Sequence, residues 1–192
     1  TAWQQRGADQ EATIRITLED AYHGATRTIT LQSQSVLPDG RVTTSQRSYD
    51  VKIPPGVSPG QKIRLAGQGG EGHGGAPKGD LFLKVEIEPH RRYRLEGHDL
   101  YLDLPVTPWE AALGAEVQLT TLSGTVTLKV PAGTHSGQKL RLRGKGMLDP
   151  RGRRGDLYAV IAIHVPSTLT PAERSLYEDL KRVSVFDPRA AM

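Results

Sequence analysis

The chain has 192 residues, a net charge of +4, 36% hydrophobic and 24% charged residues, and no cysteine. That length holds one large domain or two small ones with modest cores, and the apolar share is too high for general disorder. Disulfide frameworks, thiolate zinc sites and cysteine nucleophiles are excluded, and no apolar run approaches the ~20 residues that span a bilayer. The first residues, T-A-W-Q-Q-R-G-A-D-Q-E, hold no signal-peptide core and no initiator Met. The sequence is therefore expected to continue upstream, and a reducing cytoplasm fits its composition.

Taken in order, the patterns are mostly of period two, the mark of strands with one buried face. Ile14, Ile16 and Leu18 alternate with polar residues, as do Ile29 with Leu31, then Tyr49, Val51 and Ile53, then Leu81, Leu83, Val85 and Ile87. The second half repeats this in Leu100, Leu102 and Leu104, in Val117 and Leu119, in Val126, Leu128 and Val130, and in Leu140 and Leu142. Along 157–165 both faces are largely apolar, which predicts a central strand or one covered on both sides. Helix is scarce. Thr107-Pro108-Trp109-Glu110 is a capping box that starts one short turn, with Thr17 and Asp20 as its counterpart. The same device at Thr170-Pro171-Ala172-Glu173 precedes a longer helix. On it Leu176, Leu180 and Val183 form one stripe, with Tyr177 beside it.

The order of these segments is duplicated. Residues 53–69 read I-P-P-G-V-S-P-G-Q-K-I-R-L-A-G-Q-G, and 130–146 read V-P-A-G-T-H-S-G-Q-K-L-R-L-R-G-K-G, an offset of 77. Gly79-Asp80-Leu81 recurs as Gly155-Asp156-Leu157, and T-L-E-D-A-Y-H-G (17–24) aligns with T-P-W-E-A-A-L-G (107–114) at an offset of 90. The change of offset from 90 to 77 leaves about 13 extra residues in the first copy. The polar stretch 32–48, with the turn former Pro38-Asp39-Gly40, is their natural place. The fold predicted is mainly β: two tandem homologous, small β-sandwich-like domains with short helical turns, and a C-terminal amphipathic helix. The expected boundaries are a linker remnant over 1–11, β-domains over 12–90 and 91–166, and a helix and tail over 167–192.

No motif points to catalysis or to a cofactor. The glycine-rich run 67–75 is followed by a strand and not by the helix N-terminus that a phosphate loop needs, so it reads as a connection. The six histidines form no pair at metal-ligand spacing, although His90 and His98 stand near Glu88, Glu96 and Asp99. Asp80 and Asp156 occupy matching turn positions, as structural carboxylates do. Two binding surfaces remain. Arg27, Ile29 and Leu31 share a face of one strand and could take up an extended peptide, or could simply be core. If 12–18 pairs with that strand, Ile14 and Ile16 border the same groove. The other surface is the basic run Lys139, Arg141, Arg143, Lys145, Arg151, Arg153 and Arg154, either a nucleic-acid face or a solvated edge protected by like charges.

The repeated segments T-L-E-D-A-Y-H-G, V-K-I-P-P-G-V-S-P-G-Q-K-I-R-L-A-G-Q-G, G-D-L-F-L-K-V and D-L-Y-L-D-L-P-V-T-P-W-E-A-A-L-G resemble, in order, the C-terminal half of the DnaJ (J-domain) co-chaperones. The resemblance covers about 12–183. It implies two β-domains and a dimerising helix at Leu176, Tyr177, Leu180 and Val183. It also implies capture of unfolded polypeptide in a groove of the first domain, and delivery to a DnaK-type ATPase chaperone. The groove positions fall on Ile14, Arg27, Ile29 and Leu31. No His-Pro-Asp tripeptide occurs, so this sequence alone is not expected to stimulate that ATPase, and the absence of cysteine resembles the zinc-free class. Thr30 stands where some relatives carry a second basic residue for the acidic tail of the partner chaperone.

Overall fold

The structure, a computed structural model, describes residues 3–36 and 40–192. The elements run β1 (Gln10–Ile16), α1 (Leu18–His23), β2 (Ala25–Val36), β3 (Val42–Ile53), β4 (Lys62–Leu65) and β5 (Leu81–Ile87). They continue with β6 (Tyr93–Glu96), β7 (Asp99–Val106), α2 (Pro108–Leu113), β8 (Ala115–Thr121), β9 (Gly124–Val130), β10 (Lys139–Leu142), β11 (Leu157–Ile163) and α3 (Pro171–Val183). The chain is mainly β, as predicted, in open sheets. Their orders are β1-β5-β4 and β10-β11-β7-β6, beside the hairpins β2-β3 and β8-β9.

The sequence repeat reappears in the topology. β1 lies parallel to β5, with Ile14 opposite Val85, and β7 lies parallel to β11, with Leu104 opposite Ile161. Each pair aligns two buried rows. The alternating apolar residues of β1, β3 and β5 sink Ile14, Ile16, Val51, Ile53, Leu81, Leu83 and Val85 into the core with Leu18, Ala21 and Tyr22 of α1. β11 is central, between β10 and β7, and every second residue from Leu157 to Ile161 is buried. The pairing of 12–18 with 26–31, the condition for Ile16 to border the groove, does not form. β1 takes its partner from β5, and β2 pairs with β3.

Hydrogen bonds explain why particular polar residues recur. The Asp80 carboxylate accepts from Gly67 N and from Arg64, each at 2.8 Å, and Asp156 accepts from Gly144 N at 2.9 Å and Arg141 at 2.7 Å. In both copies the backbone amide bond comes first in holding the carboxyl below its ordinary range, and the guanidinium adds to it. The amide of each aspartate donates in turn to an upstream carboxylate, Asp9 at 2.8 Å or Asp99 at 2.7 Å. These matching bonds close the turn that leads into β5 or β11.

All three predicted capping boxes form, at Thr17 with Asp20, Thr107 with Glu110 and Thr170 with Glu173. The 13 additional residues lengthen a hairpin. β2 through β3 takes 29 residues, 25–53, whereas β8 through β9 takes 16, 115–130. Pairing extends to Val36 opposite Val42, and the predicted turn residues Pro38 and Asp39 lie outside the described residues. Part of the expected linker is also built in. β1 begins at Gln10, Gly7 is buried, and Gly70 N donates to Ala8 O at 2.8 Å across the glycine-rich run.

Candidate functional site

The alternation of β2 turns Ile29 and Leu31 toward the core, where both are half-buried and pack against it. Their outer sides stay open. A cleft of about 530 Å³ runs between β1 and β2, lined by Thr13, Ile14, Arg15, Ile29, Thr30 and Leu31. A second, of about 740 Å³, continues past Leu31 along Gln10, Glu11 and Ala12 to Tyr49 and the glycine-rich run at Gly69 and Gly70. Both bordering strands are outermost in their sheets. The trough therefore has an apolar stretch at Ile14, Ile29 and Leu31, a mostly polar continuation through Gln32, Ser33, Arg47 and His73, and a free strand edge along each side, the arrangement that accepts an extended segment by strand addition. Charge sits at its margins. Arg15 pairs with Glu86 at 3.4 Å, and Glu71 is held below the ordinary carboxylate range, first by its bond from Lys78 at 2.6 Å.

The predicted residues separate in space. Ile14, Ile29 and Leu31 meet at the cleft. Ile16, on the same face of β1, is 2% exposed and belongs to the core, away from either cleft lining. Arg27 is drawn aside: Nε and Nη2 donate to the two oxygens of Asp20 at 2.8 and 2.7 Å. Asp20 is also the N3 residue of the α1 capping box, and the Arg27 bond is the main cause holding its carboxyl below the usual range. Tyr49 was missed. It faces Ile29 across the hairpin. Ala12 was also missed, since a lone alanine carries no pattern signal.

The family model described as "DnaJ C terminal domain" matches residues 10–166. The chain belongs to the DnaJ C-terminal domain family. It is also similar to proteins named "Curved DNA-binding protein". One is from Coxiella burnetii, 48% identical over 188 residues, covering 97% of this chain and 59% of the relative. Another, from Pseudomonas putida, is 40% identical over 187 residues, covering 97% and 59%. A third, from Pseudomonas syringae pv. tomato, is 38% identical over 187 residues, covering 97% and 60%. The chain thus spans about three-fifths of the length of these curated relatives.

Outside the DnaJ C-terminal domain match stands α3. None of its residues is buried: Leu176 is 70% exposed, Leu180 58% and Val183 63%, with Tyr177 half-buried. An isolated 13-residue helix is marginal in water and normally needs tertiary packing. Val185 and Phe186 extend the apolar surface beyond it. The basic run is partly neutralised within the chain. Arg141 pairs with Asp156, Arg153 pairs with Asp149, and Arg154 lies over the Tyr22 ring. No group of three or more potential metal ligands occurs among the described residues, and no described helix is long and apolar enough to cross a membrane.

Proposed function

We propose that this chain is the client-binding part of a cytoplasmic co-chaperone, without enzymatic activity. It holds unfolded segments in the β1–β2 trough, prevents their aggregation and passes them to a DnaK-type ATPase chaperone. Domain I is taken as 12–90 and domain II as 91–166, and α3 joins two copies through Leu176, Tyr177, Leu180 and Val183. The observation that carries the reading is the trough over Ile14, Ile29 and Leu31 in a chain of this family. Ile16 supports its floor from beneath, and Arg27, held by Asp20 near the start of β2, tunes the rim from beyond the cleft lining. Each client side chain buried there contributes about 1.5–3 kcal/mol, offset by the cost of ordering the peptide.

Leu31→Ser and Ile29→Ser are each expected to weaken capture of a denatured client roughly tenfold, from the loss of about 1.4 kcal/mol of apolar contact. Aggregation of a heat-denatured client, followed by light scattering, reads this out, with circular dichroism checking that the fold persists. Protection equal to wild type by both variants would remove the trough from the function.

A second reading draws on the relatives' name. The side chains of Arg143, Lys145 and Arg151 have no direct hydrogen bond or ion pair among the described contacts, and they could meet phosphates. With three such contacts, log K against log salt should fall with a slope of about −2.7. Duplex DNA binding that is absent, or unchanged between low and moderate salt, excludes this use of the segment.

A further inference from the structure

The two halves differ along one strand edge. In the second half β6 lies antiparallel to β7, with Tyr93 opposite Leu102 and Leu95 opposite Leu100, which adds a fourth strand to the sheet. Tyr93 is 5% exposed, and its hydroxyl donates to the carbonyl of Thr120 in β8 at 3.0 Å. β6 thereby spans the gap between the outer strand and the neighbouring hairpin. In the first half the corresponding gap is the trough between β1 and β2.

The repeat gives the correspondence residue by residue. The offset of 90 that relates Thr107 to Thr17 also carries Leu102 to Ala12, Leu104 to Ile14, Ala115 to Ala25 and Thr120 to Thr30. The strand equivalent to β6 would then run through the trough. Its aromatic residue would stand opposite Ala12 and close to the Thr30 carbonyl. Alanine in place of leucine leaves more room at that point.

The first half has a counterpart segment that takes a different path. At the same offset Trp3 matches Tyr93, Gly7 matches Gly97 and Asp9 matches Asp99. Gly97 has φ +61°, the left-handed region that turns the chain back and lays β6 on β7. Gly7 is not among the glycines of positive φ. It is pressed onto the glycine-rich run, where a Cβ would lie 1.9 Å from the Gly70 carbonyl oxygen. Gln5 bridges to His73, and Trp3 is left 94% exposed. The place that β6 fills in one half thus stays open in the other.

We infer that β6 is a built-in likeness of bound client. A client segment adds antiparallel to β1, with an aromatic side chain opposite Ala12 and an apolar one two residues later opposite Gln10. This rests on the proposed trough and adds direction and sequence preference to it. No charge is required between the two anchors. Arg94, between Tyr93 and Leu95, pairs with Asp103 at 3.2 Å, and the residue equivalent to Asp103 is Thr13.

The test uses the full chain and short labelled peptides with the pattern Tyr-X-Leu in a polar frame. Replacing their tyrosine with serine is expected to weaken binding roughly tenfold by fluorescence anisotropy. A photoreactive phenylalanine at the tyrosine position should label Ala12, Thr30 or Leu31. Moved two residues toward the peptide C-terminus it should label near Gln10, and moved two toward the N-terminus, near Ile14. The reverse order, or labelling of β8, β9 or α3, overturns the inference. If Leu31→Ser abolishes peptide binding while the labels run in reverse, the trough stands and only the direction falls. If Leu31→Ser leaves peptide binding unchanged, the trough reading itself fails.

Discussion

Deleting residues 167–192 is expected to convert the protein from a dimer to a monomer and to cost most of its hold on large clients. Leu176, Leu180 and Val183 fall on one helical face at i, i+4 and i+7; apart from the half-buried Tyr177, whose hydroxyl is shielded, α3 leaves this apolar stripe uncovered by its own chain. Such a face gains most by covering an identical face on a second copy. Two troughs tethered in this way bind a long unfolded chain together, and avidity of this kind exceeds single-site affinity by about 10²–10⁴. Light scattering should give twice 20.9 kDa for the intact chain and a single-chain mass after truncation. Binding of a short, one-site peptide should be unchanged. An intact chain that is already monomeric, or a truncated one that remains dimeric, would rule out α3 as the joint.

Tyr22→Ala is expected to be among the most damaging single changes to stability. Tyr22 is 1% exposed in α1, its ring meets His23 edge-on at 4.9 Å, and the Arg154 guanidinium lies 4.5 Å above its centroid. Arg154 belongs to the second half, so this ring lies at a contact between the halves. Nearby, a Cβ on Gly56 would lie 2.5 Å from the Leu148 carbonyl oxygen, another close approach across the same boundary. Emptying the Tyr22 site should cost about 3–5 kcal/mol, and Arg154→Ala about 0.5–2 kcal/mol through the lost stacking. The Tyr22 hydroxyl is buried with no partner among the described residues. Tyr22→Phe therefore discards an unsatisfied group and should match or exceed wild-type stability. Urea unfolding of the three variants checks this, and a Phe variant as weak as the Ala variant would contradict it.

The sequence revealed faces more readily than neighbours. Period-two alternation placed Ile29 and Leu31 on one side of β2, and the capping boxes marked the starts of α1, α2 and α3. The repeat showed that 13 residues had been added to one copy, and they proved to lengthen β2 and β3. Alternation cannot say which strand lies alongside. β1 pairs with β5, some 70 residues later, because the parallel register buries Ile14 and Ile16 beside Val85 and Ile87. That non-local choice opened the trough beside β1 and β2, kept Ile16 away from either cleft and left Ile14, itself only 3% exposed, at the bottom of one. The pattern shows the face on which Arg27 stands and not its partner, the buried carboxylate of Asp20 seven residues before it. β6 is a four-residue strand with only two apolar positions, too short for periodicity to identify.

Methyl-resolved NMR titration of the protein with an unfolded, aggregation-prone client segment tests the central claim most directly. Shifts concentrated on Ile14, Ile29 and Leu31, with Leu104 and Leu119 unmoved, are the result this account predicts. Shifts confined to the second half or to α3, with the β1–β2 trough silent, would contradict it.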